Sequence, residues 1–110
     1  FEIQNPEKET ILVYVSAKCS HCKEAMIELD IAKKKSEKFS EVKVISYNSK
    51  IQEFINEEEL DLQLDTIPPK LFLKITKGSF PKFQLVKENK ILKKWSNNEF
   101  NYAVLDNLSK

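Results

Sequence analysis

Two cysteines stand three positions apart, Cys19 and Cys22, with Ser20 and His21 between them. They are the only cysteines in the chain, so no further pair is left to build a disulfide framework. A Cys-x-x-Cys pair can exchange disulfides, ligate a metal or close a structural link, and its setting separates these. Ile11-Leu12-Val13-Tyr14-Val15 is a run of β-prone apolar residues that ends just before the motif. After it, Cys22, Ala25, Met26, Leu29 and Ala32 recur along one helical stripe. Cys19 therefore falls at the first turn of a helix and Cys22 one turn further in, on the same face. Cα atoms so placed lie roughly 5 Å apart, a spacing that suits an S–S bond. Cys19, His21 and Cys22 are the only Cys and His residues in the sequence, too few to close a tetrahedral zinc site of the Cys/His type without a second copy or a partner. Redox chemistry is the reading this pattern favours.

The thiolate is the species that attacks a disulfide. Unpaired amide N–H groups and the positive dipole end of the helix favour charge on the Cys19 sulfur. Lys18 and Lys23 add positive potential, which Glu24 partly opposes. His21 is expected within reach of the same sulfur, where its protonated form favours the thiolate further. These contributions stabilise the reduced form and make the disulfide more oxidising. Cys22, deeper in the helix, is expected to be the resolving thiol.

The 110 residues suffice for one domain with one modest core, spanning positions 1–110. Ile11–Val15 is the longest apolar run and is far too short to span a bilayer. No signal-peptide pattern and no Met begin the sequence, so Phe1 is expected to be a processed or engineered start. Net charge is +1, and every basic residue is Lys. Without Arg the bidentate recognition of phosphate or base edges is missing, which argues against a nucleic-acid partner. Gly78 is the only glycine, so a glycine-rich phosphate loop is excluded. Lys33-Lys34-Lys35 and Glu57-Glu58-Glu59 read as solvated helix faces.

The elements that must hold the motif follow in order. Phe1–Thr10 is a polar entry arm whose first residues could pair on a sheet edge. Ile11–Val15 reads as a strand buried on both faces, and a helix runs from about Ser20 to Lys38. Val42–Tyr47 is a second strand, parallel to the first through a crossover. Ser49-Lys50-Ile51-Gln52 has a capping-box pattern, and a helix is expected from about Lys50 to Glu59. Leu60, Leu62 and Leu64 alternate as a strand does. Pro68–Ile75 fits either a strand, with Leu71, Leu73 and Ile75 alternating, or a short helix with proline in its first turn; the helix is preferred. Lys82–Val86 and Ile91–Trp95, joined by Lys87-Glu88-Asn89-Lys90, form an antiparallel hairpin. Ser96-Asn97-Asn98-Glu99 then caps a final helix with Phe100, Ala103, Val104 and Leu108 on its stripe. No repeat, linker or low-complexity segment interrupts this order. Trp95, Tyr14 and Phe83 are expected in the core, while Tyr47 and Phe80 lie on loops that a substrate could meet.

The order strand, Cys-x-x-Cys helix, strand, helix, further segment, proline, hairpin, helix resembles the thioredoxin-like superfamily of thiol–disulfide oxidoreductases. The stretch Ser16–Lys23 after its apolar strand carries one part of the likeness. Lys77-Gly78-Ser79-Phe80-Pro81 with the hairpin to Ile91 carries the other. The resemblance covers most of the chain outside roughly positions 52–75. It implies an α/β three-layer sandwich: a mixed sheet with a parallel βαβ half, a C-terminal hairpin plus helix, and a helical insertion before the cis-proline loop. Pro81 takes the cis-proline position, because choosing Pro68 or Pro69 leaves an unexplained strand ahead of the hairpin. Three departures stand out: Val13 where classical thioredoxins bury an acid, Lys18 where an aromatic residue commonly precedes the first cysteine, and a long connection from Tyr47 to Pro81. The Cys-x-His-Cys arrangement looks like those of protein disulfide isomerases and bacterial periplasmic oxidases.

What the resemblance implies is an enzyme exchanging disulfides with protein substrates through Cys19 and Cys22, with His21 and Pro81 assisting. Phe80, Lys18 and Ser20 would face the substrate. It needs no cofactor and no metal. Its partners would be protein thiols or disulfides and a redox partner protein; a monomer and an extracytoplasmic bacterial setting are expected. The alternative is a redox-relay or docking domain of a larger or membrane-anchored protein, served by one dedicated partner.

Overall fold

The computed structural model describes residues 8–36, 39–96, 99–100 and 104. Its eight elements are β1 (Thr10–Tyr14), α1 (Ser20–Lys35), β2 (Glu41–Ser46), α2 (Ile51–Glu57), β3 (Gln63–Thr66), α3 (Pro69–Thr76), β4 (Lys82–Lys87) and β5 (Lys90–Ser96). They form one mixed five-stranded sheet in the order β3-β2-β1-β4-β5. β1 pairs in parallel with β2 and antiparallel with β4, so it has a partner on each side along its whole length.

All five residues of β1 are buried, as is Val15 after it, which is why Ile11–Val15 reads as a continuous apolar run and not as an alternation. Ile11, Val13 and Val15 face one core with Cys22, Ala25, Met26 and Leu29 of α1 and Ile51 and Ile55 of α2. Leu12 and Tyr14 face the other, with Ile45, Ile67, Val86 and Phe72 of α3. Helices therefore cover both faces of the sheet, giving three layers. The alternation that the apolar run conceals reappears as the division between the two cores.

The connection before Pro81 contributes more than helices. Its four-residue strand β3 joins β2 in parallel and forms the edge of the sheet, tied across the ladder by Lys43 Nζ and Asp65 Oδ2 at 2.9 Å. The strand begins at Gln63, later than the alternation of Leu60, Leu62 and Leu64 suggests. Glu59 is left-handed at φ 52°, and the Leu60 N–H donates back to the Ile55 carbonyl, so residues up to Leu60 finish α2. The turn is docked on α1 by Asp30, whose buried carboxylate accepts the Asp61 N–H at 3.0 Å and pairs with Lys34 at 2.9 Å.

The helix boundaries differ from the sequence reading for local reasons. α1 stops at Lys35, where the N–H of extended Ser36 still reaches the Ala32 carbonyl. The capping box at Ser49–Gln52 does not form. Lys50 occupies the cap with helical backbone and no side-chain cap bond, the Gln52 amide donates to the Ser49 carbonyl, and the Gln52 side chain donates to Asn56 Oδ1 at 2.9 Å. Pro69 occupies the first turn of α3, as preferred, because its missing N–H has no partner to lose there. α3 ends with Lys77 left-handed and Gly78 at φ 78°. A Cβ at Gly78 would meet nothing within 4 Å, so backbone conformation, not space, explains this single glycine. In the β4–β5 turn Glu88 and Asn89 both have positive φ, the geometry that matches strand twist in two-residue hairpins. Beyond Ser96, the Glu99 carboxylate accepts the Ser96 N–H at 3.1 Å, one half of the expected capping box. Apart from Phe100 and helical Val104, the final helix lies outside the described residues, as does the entry arm before Lys8.

Phe72 is almost fully buried and is the main side chain by which α3 grips the second core. Phe72→Ala is expected to cost about 3–5 kcal/mol of stability, measured by urea denaturation. A loss below about 1 kcal/mol would contradict this packing.

Candidate functional site

The site forms where β1 ends. The Val15 N–H bonds the Ile45 carbonyl at 2.9 Å, and Ser46 Oγ donates to the Val15 carbonyl at 2.8 Å, so the strand end is held from β2. Ser16 is buried and starts a tight turn: the Cys19 N–H donates to its carbonyl at 3.1 Å, and the Lys18 N–H reaches its hydroxyl at 3.4 Å. A serine hydroxyl that takes the amide two residues on is a local turn former.

Cys19 is the N-cap of α1. Its backbone is extended (φ −103°, ψ 113°), and its sulfur accepts the Cys22 N–H at 3.2 Å, the role that a Ser or Asp oxygen usually fills. Its carbonyl takes the Lys23 N–H at 3.3 Å, which opens the helical ladder. Cys19 is half-buried, whereas Cys22 is fully buried in the first core. Both are free thiols. Burial pushes the Cys22 thiol pKa well up and the Cys19 sulfur adds to this, while the backbone N–H groups of Ser16 and Cys22 pull the other way. Burial wins, so Cys22 is held protonated.

Across from the cap lies the loop before β4. The Phe80–Pro81 peptide is cis, Pro81 is buried and Phe80 is half-buried. The Phe80 carbonyl accepts from Cys19 Sγ at 3.7 Å, a weak bond that sets the sulfur beside this backbone. Lys18, Ser20 and His21 are exposed around the cap. His21 Nδ1 lies 3.8 Å from Glu24 Oε2, one turn along the helix surface. Among the described residues, the hydrogen bonds of Cys19 Sγ run to the Cys22 amide and the Phe80 carbonyl, with none to His21. Lys23 lies over the Phe54 ring at 5.5 Å. Val13, at the position discussed for a buried acid, is wholly buried in the first core.

Three residues of the site make contacts that the sequence did not reveal. Ser16 ends an apolar run and looks like a loop residue, yet it ties down the motif from inside. Tyr47 follows β2, and its hydroxyl lies 3.2 Å from Ser16 Oγ. Phe72 sits edge-on to Tyr47 at 5.0 Å between ring centroids and 5.7 Å from Phe80. A buried serine next to a Cys-x-x-Cys was the available signal; the aromatic contacts join residues too distant in sequence to leave one. Among the described residues, no group of three or more His, Cys, Asp or Glu side chains could hold a metal ion. No helix there is long and apolar enough to cross a membrane.

No family model and no curated protein sequence matches the chain. Solved structures do. The chain is similar to the thioredoxin domain of a thiol-disulfide oxidoreductase from Bacteroides vulgatus, with TM-score 0.70 and 16% identity over 96% of this chain and 81% of that one. It is similar to a secreted thiol-disulfide isomerase from Corynebacterium glutamicum, with TM-score 0.69 and 16% identity over 94% and 69%. An exposed lipoprotein thioredoxin from Streptococcus pneumoniae matches with TM-score 0.63 and 18% identity over 94% and 84%. At these identities the likeness is one of backbone architecture, and that architecture is the thioredoxin-like fold.

Proposed function

We propose that the protein is a thiol–disulfide oxidoreductase that works on protein substrates through Cys19 and Cys22. The observation that carries this reading is the inequality of two adjacent sulfurs. One caps a helix at the surface and takes an amide hydrogen bond; the other is wholly buried behind it. A structural disulfide has no use for that inequality, and exchange chemistry requires it.

In the reducing direction, the Cys19 thiolate attacks one sulfur of a substrate disulfide. An S–S bond forms to Cys19, the substrate S–S bond breaks, and the departing thiolate takes a proton. Cys22 then loses its proton and attacks Cys19 Sγ. The Cys19–Cys22 bond forms as the mixed disulfide breaks, releasing the second substrate thiolate. The substrate gains two electrons and the protein loses two; the oxidising direction is the reverse. Burial opposes ionisation of Cys22, so its deprotonation must coincide with attack, when Cys19 is already engaged. The Phe80 backbone, beside the Cys19 sulfur, is placed to meet an extended substrate chain, with Lys18 and Ser20 at the rim. The secreted and exposed character of two structural neighbours supports an extracytoplasmic setting for this chain as well.

Trapping tests the roles. Cys22→Ser should accumulate mixed disulfides with disulfide-bonded substrate proteins through Cys19, visible on non-reducing gels, and Cys19→Ser should accumulate none. The reverse pattern would exchange the two roles. A second test uses the burial difference. Iodoacetamide near pH 8 should label Cys19 in the folded, reduced protein and leave Cys22 unlabelled, with both labelled in urea; equal labelling of the folded protein would contradict it.

The raised Cys22 pKa also sets a pH dependence. In the unfolded chain a cysteine ionises near about pH 8.5. Below that pH the neutral thiol's contribution to folding is fully present; it is lost as pH rises toward the higher folded value. The reduced protein should therefore lose melting temperature above about pH 8.5 more steeply than Cys22→Ala. Parallel curves would refute the burial argument.

A further inference from the structure

Ser16 is where the motif loop is tied to the rest of the protein. Its carbonyl holds the Cys19 amide and its hydroxyl holds the Lys18 amide, both within the loop. The same hydroxyl also bonds Tyr47 Oη at 3.2 Å, and Tyr47 belongs to the segment after β2. The Tyr47 ring stands edge-on to Phe72, Phe72 packs against Phe80, and the Phe80 carbonyl faces Cys19 Sγ. These contacts close a circuit: Cys19 to Ser16, Tyr47, Phe72, Phe80 and back to Cys19. Apart from Ser16 and Tyr47, the circuit consists of apolar rings and the sulfur contact. The side-chain hydrogen bond between Ser16 and Tyr47, long for an O–H···O pair, is its one polar side-chain link between loop and aromatic cluster.

We propose that Tyr47 is a positioning residue for disulfide exchange. Its hydroxyl, on Ser16, and its ring, on Phe72, together fix the Cys19 loop against the Phe80 backbone. The inference rests on the disulfide-exchange reading above and names a further residue that serves it. A peptide disulfide must present its sulfur to Cys19 and its backbone to Phe80 at once, so it depends on the spacing of the two loops. A small alkylating agent needs the sulfur alone. Loosening the circuit should therefore slow exchange with an extended substrate and spare alkylation. That division is what separates positioning from a general loss of stability.

Tyr47→Phe keeps the ring and its contact with Phe72 and deletes only the hydroxyl. For the reduced variant, exchange with a disulfide-bonded extended peptide should slow about two- to tenfold, the scale of one neutral hydrogen bond. Labelling of Cys19 by iodoacetamide should stay within about twofold of the wild type. Ser16→Ala should slow exchange at least as much, since it also removes the acceptor of the Lys18 amide, and the double variant should be no slower than Ser16→Ala, because both remove the same Ser16–Tyr47 bond. If Tyr47→Phe exchanges as fast as the wild type, or if alkylation slows by the same factor as exchange, the positioning role is overturned while the function stands. A wild-type protein whose Cys19 is alkylated yet exchanges with no peptide disulfide would overturn the function and this inference with it.

Discussion

A sulfur atom closes the N-terminus of α1, and the rest of the site depends on that cap. The first amides of any helix lack partners inside it. Here one of them, from Cys22, turns to the Cys19 side chain at 3.2 Å. The bond fixes the Cys19 sulfur directly over the first turn, where positive dipole and free N–H groups favour added negative charge. It also joins the two cysteines physically, since the donor is the backbone of the residue whose own sulfur would finish the exchange in the proposed function. Geometry that caps the helix is thus the same geometry on which the proposed redox pair relies.

Holding that cap in place falls to the centre of the sheet. β1 is paired on both edges and covered on both faces, so its end is among the most constrained points in the molecule. β2 extends the constraint past the strand through the Ser46 hydroxyl on the Val15 carbonyl. β4 brings the Phe80–Pro81 loop to the other side, because its first residue, Lys82, pairs with Tyr14, the last residue of β1. The two sides of the site come from positions some sixty residues apart and meet through that register. Even the polar pair in this region belongs to the core: the buried Tyr14 hydroxyl donates to Gln84 Oε1 at 2.8 Å, and burial pushes the phenol pKa up to about 12.

Much of this was legible because it is local. The Ile11–Val15 run, the stripe from Cys22 to Ala32, and the hairpin around Glu88-Asn89 each carry their periodicity in a few adjacent residues, and the structure places an element at each. The motif pair likewise falls at the strand-to-helix junction. Legibility fails where an element is short or where competing bonds decide its boundary. β3 is four residues on an edge, half-exposed, with too little pattern to date its start. At Ser49–Gln52 the capping-box residues were present, but the Gln52 amide turns to the Ser49 carbonyl and its side chain to Asn56 Oδ1 at 2.9 Å. The expected contact of His21 with the Cys19 sulfur came from proximity along the chain. On the helix surface the imidazole lies toward the Glu24 carboxylate at i,i+3, a neighbour that bare sequence proximity does not weigh. Ser16 stood in the motif stretch and Tyr47 on a neighbouring loop, but the bond between them escaped because it spans thirty-one positions.

The account stands on Cys19 and Cys22 acting as one two-electron couple whose reduced form is favoured by the helix start. A glutathione redox titration, read by mass spectrometry of the alkylated species, measures this directly. The account predicts one transition between dithiol and internal disulfide, with a potential above about −270 mV, the value of a strongly reducing thioredoxin. Separate glutathione adducts on the two cysteines with no internal disulfide, or a potential at or below that value, would contradict it.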